Sequence, residues 1–198
     1  APREVVVVTV CRLFPPNGPA RLIQAIARVH RTHPQVRLLV VGHEMYAGYA
    51  EELVALTRAL GVEHIVTFAG RRGDVPALLA ASDVFAMPSF LEPFGLVYAE
   101  AMAMELPVVA LDNGGTPEVV EHGVSGLLSA TDDEDALVEN LAALVADPTR
   151  RDELGRRGRQ RVERYFTLQR QAAGVADFYR LLAFGEAAPT TNAKDGMS

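Results

Sequence analysis

Two carboxylates with seven residues between them, Glu92 and Glu100, flank Pro93-Phe94-Gly95-Leu96-Val97-Tyr98-Ala99, the stretch of the chain richest in chemistry. Gly95 opens a helix, and a glycine there lets another group approach the backbone closely. The N–H groups of Gly95, Leu96 and Val97 have no acceptor inside that helix and are available to an anion. A helix N-terminus favours a phosphate by about 0.3–1 kcal/mol at a surface and up to about 2 kcal/mol when partly buried. Glu100 falls within the helix, where a carboxylate can accept two hydrogen bonds from a ribose diol. Glu92 falls in the loop before it, free to reach a sugar hydroxyl. The two acids would then serve opposite ends of one extended ligand. Residues alone leave a second reading equally open, in which Glu100 pairs locally and Glu92 is solvated. Arg12, in the loop after the first apolar run, offers a fork-shaped cation to the same diphosphate.

The elements that must position these groups alternate almost without interruption. Glu4 to Val10 (EVVVVTV) is short and β-branched and reads as a buried strand. Pro19 to His33 carries apolar residues at helical spacing and is stopped by Pro34. Val36 to Val41 is a strand, Gly48 to Leu60 a helix capped by Gly61, His64 to Phe68 a third strand and Val75 to Ala81 a short helix. Val84 to Met87 is the fourth strand, Gly95 to Met104 a helix, Pro107 to Leu111 the fifth strand, Pro117 to Glu121 a helical turn and Gly126 to Ser129 a last short strand. From Asp133 onward the pattern is helical, with breaks near Asp147-Pro148 and Phe166-Thr167. Strands apolar on both faces, alternating with helices, imply a doubly wound α/β domain: a parallel sheet of about six strands with helices on both faces and a helical C-terminal extension. Residues 1–166 form that domain, 167–184 a terminal helix, and 185–198, small and polar, a tail expected to be disordered. In such sheets ligands sit beyond the carboxyl ends of the strands. The glycines, arginines and Glu92 fall in those loops, with Glu100 just inside the helix that follows the fourth.

Several other chemistries are disfavoured. No G-x-G-x-x-G follows a strand, no Gly-Lys pair marks a Walker loop, and no G-x-S-x-G elbow occurs. Lys194, in the tail, is the only lysine. His30 and His33 end a helix and lack further metal ligands. Asp133 and Asp135 form a D-x-D, but they open a helix, where acids cap N–H groups and complement the dipole. The net charge of −6 over 198 residues argues against nucleic acid as a partner. No apolar run approaches the roughly 20 residues of a membrane span. The single cysteine, Cys11, fits a reducing, cytoplasmic setting and a small buried residue at a strand end. The arginines between 150 and 164 read as a solvated helical face, with an anionic membrane surface as the lesser alternative.

Glu92-x7-Glu100 followed by Ala101-Met102-Ala103 and Pro107-Val108-Val109 resembles the signature of the family 4 retaining glycosyltransferases. Arg12-Leu13, Ala81-Ser82-Asp83-Val84-Phe85 leading to Pro88-Ser89, Gly114-Gly115-Thr116-Pro117-Glu118 and Gly123-x-x-Gly126-Leu127-Leu128 resemble it too, in the same order along the chain. The resemblance implies the nucleotide-sugar-binding half of a two-domain GT-B enzyme. The donor would be a nucleotide diphosphate sugar, and there would be no cofactor and no metal. Arg12 would contact the diphosphate and the Phe94-Gly95-Leu96 backbone would cradle it. Glu100 would hold the ribose and Glu92 the transferred sugar, while Gly70 and Arg71 would lie near the base. Transfer would proceed with retention of anomeric configuration, mainly by stabilising the departing diphosphate.

The first loop departs from the family's pattern. A Gly-Arg-Leu followed by Lys-Gly is usual, and here Cys11-Arg12-Leu13 is followed by Asn17-Gly18. Asn17 stands where a phosphate-binding lysine is expected, a change that should weaken donor binding by about 1.5–3 kcal/mol. Glu105 stands where many relatives have glycine. Because the chain begins at Ala1 without an initiator Met, it is expected to be a processed or excised piece. The N-terminal acceptor domain of GT-B enzymes has no room in it, so the chain alone is expected to transfer little. The alternative is a degenerate or stand-alone nucleotide-binding module. Tyr165, Phe166, Phe178, Tyr179, Leu181 and Leu182 resemble the segment that crosses back to the absent domain, and uncovered they would favour self-association.

Overall fold

A computed structural model of the protein describes residues 3–90 and 92–184. Leu91 and the tail from Gly185 lie outside the described residues. Six parallel strands form one sheet: β1 (Val5–Val10), β2 (Val36–Val41), β3 (Val66–Gly70), β4 (Val84–Met87), β5 (Val108–Leu111) and β6 (Gly126–Ser129), in the order β3-β2-β1-β4-β5-β6. The helices are α1 (Pro19–His30), α2 (Tyr49–Ala59), α3 (Val75–Ala80), α4 (Leu96–Ala103), α5 (Thr116–Val119), α6 (Glu134–Ala146), α7 (Pro148–Tyr165) and α8 (Leu168–Phe184). The chain winds outward from β1 to β3, then returns past β1 and winds the other way. Right-handed crossovers therefore put helices on both faces of the sheet. On one face α1 packs against α2 and α6. Every residue of β4, β5 and β6 is buried, as strands covered on both sides require.

The point of reversal lies between β1 and β4. Val7 and Val8 pair there with Val84 and Phe85. Asp83 fixes the register: its Oδ2 accepts from Val6 N (2.8 Å), and its own N–H donates to Val6 O (2.9 Å). Ser82 Oγ donates to Leu78 O (2.8 Å) and closes α3. The Ser-Asp pair before the fourth strand is thus structural, a side-chain clamp that seats β4 beside β1.

Some boundaries differ from the sequence-based expectation. α1 ends at His30 rather than His33: Thr32 Oγ1 bonds Val29 O (3.2 Å), and Pro34 disfavours helical geometry at the residue before it. The third strand starts at Val66, because Glu63–Ile65 form a 3-10 turn. Asp133 caps α6 by accepting from Ala136 N (2.8 Å), and Asp135 pairs with Arg28 (2.5 Å). The basic stretch is not simply a solvated face. Arg151 donates to Leu144 O (2.6 Å) at the end of α6. Arg161 donates to Val119 O and Glu118 O (both 2.9 Å) at the end of α5, and pairs with Glu121 (2.9 Å).

The residues divide into two compact units, Ala1–Val162 and Glu163–Ser198. Within the second, α8 exposes Leu168, Val175, Phe178, Tyr179, Leu181 and Leu182.

α4 ends in a Schellman motif: Leu106 N donates to Ala101 O (3.1 Å) and Glu105 N to Met102 O (3.0 Å). Glu105 has φ 59°, the only positive φ at a non-glycine among the described residues. α7 runs so close that a Cβ on Gly155 would overlap Glu105 O. Glu105→Gly should therefore stabilise the protein by about 0.5–1 kcal/mol, relief of left-handed strain outweighing the added chain entropy. Gly155→Ala should destabilise it by about 1–3 kcal/mol despite alanine's better helix propensity. Urea unfolding midpoints of the two variants, moving in opposite directions, check this packing.

Candidate functional site

The loops at the carboxyl ends of the strands are joined backbone to backbone. After β1, Pro15–Asn17 form a 3-10 turn and Gly18 follows at φ 77°. A Cβ on Gly18 would overlap Pro88 O in the loop after β4. Phe90 N donates to Pro16 O (2.6 Å), with Ser89 Oγ directed at the same oxygen (3.3 Å). On the other side, Leu13 N donates to His43 O (2.8 Å), Met45 N to Leu13 O (3.2 Å) and Gly42 N to Gly70 O (2.9 Å). This ties the β1, β2 and β3 ends together. The β4 loop in turn rests on the β5 loop. Gly115 N donates to Glu92 O (2.8 Å), and a Cβ on Gly114 or Gly115 would overlap the carbonyl of Glu92 or Pro93. Asn113 Nδ2 bridges Ser89 O (3.1 Å) and Thr131 Oγ1 (3.3 Å).

The N-terminus of α4 is set by Gly95, at φ 81° in the left-handed region. A Cβ there would overlap the ring of Tyr98, so the turn can close over that ring only as glycine. Tyr98 is fully buried, meets Phe85 edge-on (5.9 Å between centroids) and donates its hydroxyl to Met87 O (2.9 Å). Burial, with the Glu92 charge adding, holds its phenol well above the ordinary tyrosine range. Among the described residues, the first N–H of α4 with a backbone acceptor is that of Tyr98, bonded to Gly95 O (2.9 Å). The turn before it presents its donors outward from the helix end.

Glu92 is half-buried, its stem beside Gly95, and its charge is felt by both Tyr98 and Cys11. It therefore sits near the ends of β1 and α4. Burial pushes the Cys11 thiol up to about 11, offset in part by a hydrogen bond with Thr9 and reinforced by Glu92. The thiol is neutral near pH 7, although the residue is half-buried rather than the fully buried one expected from sequence.

The structure draws Arg12, Asn17, Glu92, Phe94, Gly95 and Leu96 into the joined β1 and β4 loops. Arg12 and Leu96 are exposed, while Phe94 and Asn17 are half-buried. Asn17 Nδ2 donates to Arg12 O (2.8 Å). Glu100 is exposed on α4, and Gly70 (φ 65°) and Arg71 are exposed at the end of β3. Among the described residues, no hydrogen bond or ion pair engages the side chains of Arg12, Arg71, Glu92 or Glu100. Arg72, next to Arg71, is committed instead: it bonds both oxygens of Asp74 (2.9 and 2.8 Å) and holds that carboxyl below its usual range. Gly70 also edges a cavity of about 530 Å³ floored by Leu13, Val40, Val54 and Phe68. Tyr98 and Asn113 carry no role in the sequence reading, and Arg161 enters it only as part of a solvated helical face. The buried tyrosine one turn into α4 was the only local signal, since the other two act across long sequence separations.

Residues 1–161 match the family described as Glycosyl transferases group 1. The chain belongs to this glycosyltransferase family. It is 39% identical over 191 residues to a D-inositol 3-phosphate glycosyltransferase of Segniliparus rotundus, covering 94% of this chain and 42% of that protein. It is 34% identical over 183 residues to the GDP-mannose-dependent alpha-(1-6)-phosphatidylinositol monomannoside mannosyltransferase of Mycobacterium tuberculosis, covering 88% and 47%. The chain thus spans less than half the length of these curated relatives. Among solved structures, Anabaena HepE in complex with UDP and glucose superposes with a TM-score of 0.80 at 34% identity, covering 88% of this chain and 48% of that one. The fold is the Rossmann-like half of a GT-B glycosyltransferase. Among the described residues, no three His, Cys, Asp or Glu are grouped to hold a metal. No described helix is long and apolar enough to cross a membrane.

With a thiol pKa of about 11, the Cys11 thiolate fraction at pH 8 is about one in a thousand. Cys11 should therefore react with a thiol reagent about two orders of magnitude more slowly than an unfolded control. Its rate should still be climbing above pH 10. A rate matching the denatured protein at pH 8 would refute the desolvated placement.

Proposed function

We propose that this chain is the donor-binding half of a retaining glycosyltransferase that transfers a sugar from a nucleotide diphosphate sugar. The observation that carries the reading is the uncommitted set at one edge of the sheet: the amino end of α4, the Arg12 guanidinium, and the Glu92 and Glu100 carboxylates. Elsewhere the fold binds most of its charged groups into pairs and caps.

In this reading the diphosphate lies against the N–H groups at the start of α4, where helix dipole and open donors favour an anion. Arg12 adds charge-assisted hydrogen bonds. Glu100 accepts from the ribose hydroxyls and Glu92 from the transferred sugar, with the base toward Gly70 and Arg71. The bond from the anomeric carbon to the diphosphate oxygen breaks as the acceptor oxygen bonds to that carbon on the same face, and the acceptor hydroxyl's proton passes to the departing phosphate oxygen. The leaving diphosphate gains negative charge as the bond breaks. Donors fixed in advance at its position lower the barrier most, because they need no reorganisation. No metal is required in this scheme, since Arg12 and the helix end supply the positive potential.

The acceptor domain would lie in the length of the curated relatives that this sequence does not cover. The exposed apolar residues of α8 would pack against it, or self-associate without it. Transfer by this chain alone is accordingly weak or absent. The base is left open between uridine and guanosine: HepE is complexed with UDP, and the mannosyltransferase relative is GDP-mannose-dependent. The engaged amide of Asn17, in place of a cation, favours a second reading as a nucleotide-binding module without transfer.

Calorimetric titration with UDP, GDP and ADP should give micromolar to low-millimolar binding of one of them, unchanged by EDTA. Glu100→Ala should weaken it by about tenfold or more, the worth of hydrogen bonds to a charged group. Binding that survives this substitution would remove Glu100 from the site. Robust transfer by the chain alone would overturn the need for a second domain.

A further inference from the structure

Asn17 stands at the one place where the first loop lacks an expected cation, and its side chain has a different occupation. Most backbone groups of the loop from Cys11 to Gly18 have a partner. Cys11 N donates to Val41 O (3.0 Å), and Leu13 uses both its N–H and its carbonyl on the β2 loop. Asn17 N donates to Phe14 O (2.9 Å) and Gly18 N to Pro15 O (3.0 Å). The carbonyl of Arg12 faces none of these partners, and Asn17 Nδ2 satisfies it at 2.8 Å. The amide thus closes a ring of six residues whose first member is Arg12. The Arg12 guanidinium remains exposed and engages no other described residue.

We infer that Asn17 is a positioning residue for Arg12, bracing the loop so that the arginine alone serves as the side-chain cation of the diphosphate site. This rests on the donor-binding reading above. The chemistry of the two residue types supports the division. A lysine would carry its charge at the end of a four-carbon stem, whereas the short asparagine amide is neutral and reaches this carbonyl at 2.8 Å. An arginine carried on a braced loop leaves less backbone freedom to be lost on binding a phosphate than one on an unbraced loop. The other end of the ring is anchored as well, because Pro16 O accepts from Phe90 N and Gly18 lies against Pro88 O. Bracing Arg12 therefore fixes it relative to the β4 loop that carries Glu92.

The test is a double-mutant cycle on the full chain, read by calorimetry with UDP and GDP. Asn17→Leu removes the donor at similar size, and Asn17→Ser leaves a hydroxyl too short to reach. Both should keep the wild-type melting profile to within a few degrees and weaken binding of the preferred diphosphate by about five- to tenfold. Arg12→Ala should weaken it at least as much. In the Arg12→Ala background, adding Asn17→Leu should cost less than twofold further. A merely structural asparagine would give the same loss in both backgrounds, which overturns the inference. So would full affinity in both Asn17 variants, or no loss in Arg12→Ala. Any of these leaves the donor reading standing as long as the wild type binds and Glu100→Ala binds about tenfold or more weakly. Absence of nucleotide binding by the wild type would overturn the donor reading and this inference together.

Discussion

The site depends on a steric constraint: at four places along the strand ends, one loop's backbone rests directly on another's carbonyl oxygen. Gly18 lies on Pro88, Gly42 on Cys11, Gly114 on Glu92 and Gly115 on Pro93. A side chain at any of these positions would hold the loops apart. With glycine, the hydrogen bonds Phe90 N to Pro16 O and Gly115 N to Glu92 O can form, and loops from strands far apart in sequence become one surface. Arg12 and Glu92 are charged groups that need fixed positions without the protein's own charges to hold them. The backbone supplies that fixity and leaves both side chains uncommitted.

Charge is handled differently on either side of this crest. Away from it, Asp83, Asp133, Arg151 and Arg161 are each spent on backbone groups that would otherwise lack partners. Beneath it, Cys11 and Tyr98 are kept neutral by burial, with the nearby Glu92 charge reinforcing both. A low-dielectric floor under a charged rim strengthens whatever electrostatic interaction the rim makes with a ligand.

Much of this was legible in the sequence, because the information is local. Six apolar runs and the helices between them could be read from spacing; the strand order, with its reversal at β4, could not. The placement of Gly95 at the start of α4 could be read because a left-handed turn over Tyr98 admits little else. Boundaries were lost where side chains compete with backbone, as at Thr32 ahead of Pro34 and in the turn at Glu63–Ile65. The contacts that organise the site were not legible. Asn17 looks like a missing lysine until the Arg12 carbonyl is seen beside it. Nothing around residue 161 says that its guanidinium closes a helix ending at Val119.

The winding of the sheet also governs how the chain can be assembled in time. β1 pairs with β2 on one side, which arrives early, and with β4 on the other, which arrives only at Val84. Until then the open side of β1, a run of five valines and a threonine, presents unpaired amides and carbonyls. Such an edge recruits other strands, and non-local parallel pairing is slow to form. The Asp83 clamp, bonding Val6 on both sides at the point where β4 begins, is among the contacts that close this open side of β1.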